Sequence, residues 1–273
     1  MDKKTVLIIG FGKMGRIYSK YIEEFGVEWY YYDPYTDGGL EYLLELNTYS
    51  HILISTPPEI HYEVYQAIIE LGFNGRIYID KPAITSIHHM NIFDDPNVFC
   101  GMTERYNPVV STLKTFLDTE TLTSIKFSRY STVPDNMVTP VLFDLGIHDL
   151  DLYMYLLGFD DLPPIYNIFE KSKTCYILAE QAKILSIFEW SHESHRRERK
   201  IIVLQKDTVF EADLIDQTVL SYEAGNVVRN LYINKEQPLK RIMKSFLNNE
   251  ECNAKLSHEF MFDVIRKGEY EVL

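Results

Sequence analysis

Asp144 and His148 stand four residues apart in the stretch DLGIHDLDLY. On a helix that spacing brings both side chains to one face. An aspartate there can accept from one imidazole nitrogen and leave the other as a proton acceptor, as a general base requires. Taken alone, such a pair is more often a surface pair than a proton-transfer site. Lys81, in Asp80-Lys81-Pro82, is a second candidate. A lysine at a strand end is usually solvated, but it can also donate to a reacting oxygen and stabilise developing negative charge. Its bond to Pro82 is a candidate cis peptide.

Gly10, Gly12 and Gly15 form a third group, in G-x-G-x-x-G register within GFGKMG. The apolar run TVLIIG precedes them and a helical pattern follows, with Ile17, Tyr21, Ile22 and Phe25 expected toward a sheet and Gly26 as the stop. Asp33 ends the next strand, EWYYYDPY. In that setting Gly10 permits the tight turn, Gly12 lets the backbone approach a pyrophosphate, and Gly15 lets helix and strand pack closely. The helix N-terminus supplies amide donors to phosphates. Asp33 accepts from ribose hydroxyls. No Arg or Lys follows it in PYTD, which favours NAD over NADP.

These residues need a scaffold, and strand and helix patterns alternate through the first hundred. A helix is expected over 40–46, a strand over 51–58, a helix over 61–72, a strand ending at Lys81, a short helix and a strand over 97–103. That is a doubly wound parallel sheet, whose ligands bind at the carboxyl ends of the strands. The Gly10 loop, Asp33, Ser55–Pro58 and Lys81 all fall at such ends. Beyond residue 103 come a helix over 107–118, a strand over 123–132, a proline-bounded loop over 133–140 and a helix over 141–157. Seven strands then follow without intervening helices, and two helices close the chain. The expected architecture is α/β: a Rossmann domain over 1–102, then an α+β domain over 103–273 with a large open, mainly antiparallel sheet. Such a sheet must bury apolar surface, which suits a homodimer or homotetramer. On the 141–157 helix, Phe143, Ile147, Leu150, Met154 and Leu157 make an apolar stripe, and Asp149 and Asp151 are expected to face solvent.

The chain has 273 residues and a net charge of −13, which argues against nucleic acid and anionic membrane as partners. Three scattered cysteines suit reduced thiols in the cytoplasm. The apolar run near the N-terminus is too short for a signal h-region or a membrane span. His192 and His195 are expected on an exposed hairpin turn, with no metal site.

GFGKMG, STPPEIH, DKP, ERYNP and DLGIHDLD occur in an order and spacing that resembles the glucose–fructose oxidoreductase/inositol dehydrogenase family, over nearly the whole chain and including QPLKRIMKSFL near its end. The resemblance implies an NAD(P)-dependent enzyme acting on a sugar or cyclitol hydroxyl. It places the catalytic roles on Lys81, Asp144 and His148. It places cofactor contacts at Gly10, Gly12, Lys13, Met14, Gly15, Asp33, Ser55, Thr56, Pro57, His61 and Lys81. Arg105, Tyr106 and Asn107, with Asp144 and His148, would meet substrate. GMTERYNPVV, EWSHESHRRERKIIVL and DLIDQTV look like the UDP-N-acetylglucosamine 3-dehydrogenase branch, which implies a nucleotide-sugar substrate. Where that branch usually carries Trp-Leu-Thr-Pro, this chain has Trp190-Ser191-His192-Glu193. A non-catalytic NAD-binding sensor, or a reductase of another small carbonyl or cyclitol, are the competing readings.

Overall fold

In the computed structural model, residues 4–36, 46–132, 139–224, 226–231, 233 and 235–268 are described. The helix expected over 40–46 and most of the 133–140 loop lie outside them. The chain divides into two compact units, 1–103 with 237–255, and 104–236 with 256–273.

The first unit is built on five parallel strands: β1 (Thr5–Ile9), β2 (Glu28–Tyr32), β3 (His51–Ile54), β4 (Arg76–Ile79) and β5 (Val98–Cys100), in the order β2-β1-β3-β4-β5. β3 is buried throughout, His51 included, and its apolar run Ile52–Ile54 suits a central strand covered on both faces. Among the described residues two α-helices make crossovers, α1 (Lys13–Glu24) between β1 and β2 and α2 (His61–Glu70) between β3 and β4. The buried face of α1 is Gly15, Tyr18, Ser19 and Ile22. Of the four residues expected there only Ile22 is buried; Ile17, Tyr21 and Phe25 are half-buried. The helix starts at Lys13, three residues before the point assumed from sequence, because the glycine turn itself opens it. A 3₁₀ segment, Ile87–Asp94, stands where the short helix before β5 was expected.

The second unit begins with α3 (Pro108–Phe116), capped by Asn107. Its eight-stranded sheet contains β6 (Leu122–Thr132), β7 (Ile165–Lys171), β8 (Thr174–Gln181), β9 (Ile184–Ser191), β10 (Glu193–Gln205), β11 (Thr208–Asp213), β12 (Thr218–Glu223) and β13 (Asn226–Leu231). The order is β13-β12-β11-β10-β6-β9-β8-β7. Every pairing is antiparallel except β6 with β9. Alternation along β8 and β9 sends Ile177, Phe188 and Trp190 inward, and Phe127 of β6 stacks on Phe188 with centroids 5.2 Å apart. The helix expected over 141–157 opens as a π-helical turn, Leu142–Gly146, and continues as α4 (Ile147–Leu157).

Two helices follow the sheet in sequence, α5 (Pro238–Leu247) and α6 (Lys255–Gly268). Residues 237–255, read from sequence as part of the second domain, pack with the first unit. Phe246 of α5 meets Tyr78, Phe99 and His51, and Lys240 pairs with Glu24 of α1. The apolar stripe of α5 is complementary to a surface the first hundred residues leave uncovered, which sequence order does not reveal.

Candidate active-site elements

In the first unit the parallel strands bring their carboxyl-end loops to one edge. Gly10 has φ +92°, and a Cβ there would stand 2.7 Å from Thr56 N. At Gly15 a Cβ would stand 2.3 Å from Gly10 O, so only glycine lets α1 start this close to β1. Gly12 has nothing within 4 Å of such an atom. The N-cap position, Gly12, makes no side-chain cap, and the first turn of α1 contains no acid. Its leading amides and its positive dipole end therefore suit an anion. Asp33 is 8% exposed; its Oδ2 accepts from Phe11 N at 2.7 Å and its Oδ1 from Tyr35 N at 2.9 Å. These bonds hold the carboxylate beside the glycine turn. Ser55 Oγ donates to Gly10 O at 2.7 Å, tying the loop after β3 to the glycine turn. Thr56 Oγ1 is a buried hydroxyl oxygen without a hydrogen-bond partner. The residues present fit a dinucleotide: an uncapped helix start, a carboxylate at the next strand end and an unsatisfied hydroxyl on the loop that packs against the glycine turn.

His61, expected to touch cofactor, is 1% exposed. Its Nε2 lies 2.8 Å from Thr56 O and its Nδ1 3.0 Å from Pro82 O, so it joins the loops after β3 and β4. Burial lowers its pKa, and a neutral ring donates to one of these carbonyls. The Lys81–Pro82 peptide is cis. Asp80 Oδ1 accepts from Lys81 N at 2.8 Å; burial raises the carboxyl's pKa against the pull of that bond. Lys81 therefore rises from a loop fixed at its own backbone and, through Pro82, by His61.

In the second unit the acids of α4 are not what the sequence suggested. Asp149 is 3% exposed and Asp151 1%. Asp149 Oδ1 accepts from Arg129 Nε at 3.1 Å and Nη2 at 2.8 Å, and its Oδ2 accepts from Trp190 Nε1 at 2.9 Å. Asp151 accepts two bonds from Arg105, through Nε at 2.8 Å and Nη2 at 2.5 Å, and one from Ser257 Oγ at 2.7 Å. Arg129 also reaches Glu104 Oε1 at 2.9 Å, where Arg199 Nη1 arrives at 2.8 Å. Burial opposes the charge on Arg129, but Asp149 and Glu104 more than offset it and raise its pKa. Burial likewise opposes the charge on Glu104, and Arg129 and Arg199 outweigh it, holding the carboxyl low. A buried charge survives only with such partners. Solvation was the wrong expectation for Asp149 and Asp151 because α4 is buried on nearly every side.

Arg105 and Asn107, expected at the substrate, belong to the same frame. Asn107 is 1% exposed; its Oδ1 caps Val109 N at 3.1 Å and its Nδ2 donates to Leu214 O at 3.0 Å. Tyr106 between them is half-buried.

On this frame stand Asp144 and His148. The π-helical turn carries Asp144, and Ile147 N–H donates to Leu142 O, five residues back. Such turns are rare and frequently sit at functional sites. His148 is 9% exposed. Asp144 has a partner in His192, whose Nε2 lies 3.2 Å from Asp144 Oδ2. His192 is 4% exposed and bridges β9 and β10, so the exposed turn expected for it is corrected; His195 is exposed. Sequence reading missed Arg129, Glu104 and His192. A charged residue inside the alternating strand TSIKFSRYST was the one available signal, for Arg129. Among the described residues no group of three or more His, Cys, Asp or Glu side chains is placed to hold a metal ion.

No family model matches the chain, and no curated protein matches its sequence. Its fold matches solved structures over nearly their whole length. One is the UDP-N-acetylglucosamine 3-dehydrogenase GnnA from Acidithiobacillus ferrooxidans, at 16% identity, 99% coverage of this chain, 98% of that chain and TM-score 0.83. A second is levoglucosan dehydrogenase in complex with NADH and levoglucosan, at 11% identity, 98% of each chain and TM-score 0.75. A third is the dehydrogenase MviM from Clostridium difficile, at 12% identity, 97% of this chain, all (100%) of that one and TM-score 0.74. The chain has the fold of these dehydrogenases: a Rossmann-type parallel sheet followed by a large, mainly antiparallel one, as the resemblance in sequence implies.

Proposed function

We propose that this chain is an NAD-dependent oxidoreductase that moves a hydride between a secondary hydroxyl of a sugar, in particular a nucleotide sugar, and nicotinamide. The observation that carries the reading is the mounting of α4. Arg129, Glu104, Asp149 and the Trp190 indole are buried, and with the half-buried Arg199 they fix a helix that carries the part-exposed Asp144 and, one turn on, His148. A sensor of NAD has no use for a rigidly held base. The solved relatives in fold support the same class of chemistry.

His148 takes the hydroxyl proton as the carbonyl forms, and Asp144 holds a neighbouring hydroxyl of the ring. Lys81 donates to the reacting oxygen and stabilises its developing charge. Bound NAD supplies the hydride acceptor. The open start of α1 binds the pyrophosphate, and Asp33 accepts from the adenosine ribose. A 2′-phosphate would meet the Asp33 carboxylate, so NAD is preferred to NADP. A nucleotide sugar is favoured by the bulge on β10: between Glu193 and Glu198 the register with β6 shifts, and His195, Arg196 and Arg197 are exposed there in a chain of net charge −13. These residues begin three positions after His192, and they suit a diphosphate.

The outer face of the eight-stranded sheet takes a second copy of the chain. Leu178, Ile187, Lys126 and Ile202 are register neighbours across β8, β9, β6 and β10, and Leu178 and Ile202 are 38% and 36% exposed. Buried thiols at Cys100, Cys175 and Cys252 suit a cytoplasmic setting, and no described helix is long and apolar enough to cross a membrane.

The test is NADH formation on purified protein against UDP-sugars, free hexoses and inositols. Turnover that His148→Ala abolishes is expected. Tight NAD binding with no turnover on any of them, together with a stable protein partner, would favour the sensor instead.

A further inference from the structure

Asp144 and His192 are contributed by parts of the chain 48 positions apart, and their contact follows from the way β9 lies along α4. Trp190 and His192 are two residues apart at the end of β9, a step of roughly 6.6–6.8 Å along a strand. Asp149 and Asp144 are five residues apart, about 7.5 Å at an α-helical rise and less here, because Asp144 lies on the π-helical turn. The two steps are of similar length. Trp190 Nε1 therefore bonds Asp149 on one rung and His192 Nε2 meets Asp144 on the next. The register that buries the indole also delivers the imidazole. Gly146 lies between the rungs, where a Cβ would stand 3.2 Å from the Trp190 ring. The backbone of His192 is held as well, its N–H donating to Lys173 O at 3.0 Å.

Exposure differs within the pair. The carboxylate side chain of Asp144 is 27% exposed and the imidazole of His192 2%. Asp144 has an open side, and His192 stands behind it. We propose that His192 is a positioning residue for Asp144. An imidazole donating from Nε2 fixes the rotamer of the carboxylate. Asp144 is thereby presented as a hydrogen-bond acceptor for a substrate hydroxyl. His192 itself touches no substrate. The inference rests on the dehydrogenase reading above.

The test uses the full chain with saturating NAD and the substrate best turned over among UDP-sugars, free hexoses and inositols. His192→Leu keeps the bulk and removes the donor; kcat/KM is expected to fall about 10²-fold, the scale of a misplaced reacting group. His192→Gln, whose amide nitrogen reaches as far as Nε2, is expected to recover most of that loss. In an Asp144→Asn background His192→Leu should cost nothing further, because the histidine acts only through the aspartate. A His192→Leu enzyme that matches wild type, or losses that multiply in the double variant, overturns the inference while leaving the dehydrogenase reading intact. A wild-type chain that reduces no NAD with any substrate of the panel sinks that reading, and this inference with it. Should His192→Leu not fold, the imidazole nitrogen resonances of wild type decide. The Nε2–H tautomer is expected at His192, with a shift on Asp144→Asn; an unmoved signal removes the contact and the proposal.

Discussion

Trp190 donates its indole N–H to Asp149 Oδ2 at 2.9 Å, and Arg129, its register neighbour on β6, holds the other oxygen of the same carboxylate. Two adjacent strands thus converge on one acid of α4, the helix that also carries His148. Asp149→Asn removes one of the two charges that balance the fully buried Arg129, the other being Glu104. Breaking one partner of a buried pair costs about 3–5 kcal/mol. Urea unfolding should show a loss of that size. A solvated aspartate would cost no more than about 0.5 kcal/mol.

Gly12→Ala and Gly15→Ala should separate binding from folding. The methyl at position 15 meets Gly10 O at 2.3 Å and forces α1 away from β1, at a cost of roughly 1–3 kcal/mol. At position 12 it meets no protein atom within 4 Å but would occupy the approach proposed for the pyrophosphate. Thermal melts should show a loss for Gly15→Ala and none for Gly12→Ala. Calorimetric NAD titration should show weakened binding for both.

Lys81→Ala should lower kcat by about 10²–10³, the scale for removing one donor from a developing oxyanion. Its loop is held by the backbone bond to Asp80 and by the contact of His61 with Pro82, so the melting temperature should barely move. Steady-state rates beside a melting curve on the same preparation check both.

His51 gives a pH dependence of stability. Burial, with smaller contributions from Lys4 and Arg76, lowers its pKa to about 4, although Asn249 opposes the shift. Below pH 6.5 the unfolded chain binds a proton that the folded chain refuses. Stability therefore falls as pH drops from 6.5 toward 4, by about 1.4 kcal/mol per pH unit at most from this group, and is insensitive to it above 6.5. His51→Gln should flatten that slope in urea unfolding at stepped pH.

Leu178→Glu with Ile202→Glu should break the proposed association through the outer sheet face. Light scattering after gel filtration should report a dimer or larger for wild type and a monomer for the double variant. A monomeric wild type would remove the proposal.

Much of the first unit is legible in sequence because its determinants are local. The glycine turn, the helix it opens and the acid at the end of β2 lie within about thirty residues, and each follows from turn sterics or apolar periodicity. Seven strands in succession likewise announce a sheet without naming its order. The parallel pairing of β6 with β9, and the return of 237–255 to the first unit, depend on which apolar surfaces happen to match, and no local pattern encodes that.

The candidate site divides in the same way. Sequence by itself determined that Asp144 and His148 share a helix, that Lys81 ends a strand and that Gly10, Gly12 and Gly15 open a helix. Tertiary structure alone decided what the acids of that helix do. Asp149 and Asp151 look solvated in sequence because charges normally are; they are buried because Arg129, Arg105, Trp190 and Ser257 come from 20 to 106 positions away to neutralise them. Asp144 finds its partner in His192 through the register of β9 against α4. Spacing along one helix sets which residues share a face, but the packing of distant strands sets which of them stay charged and what they touch.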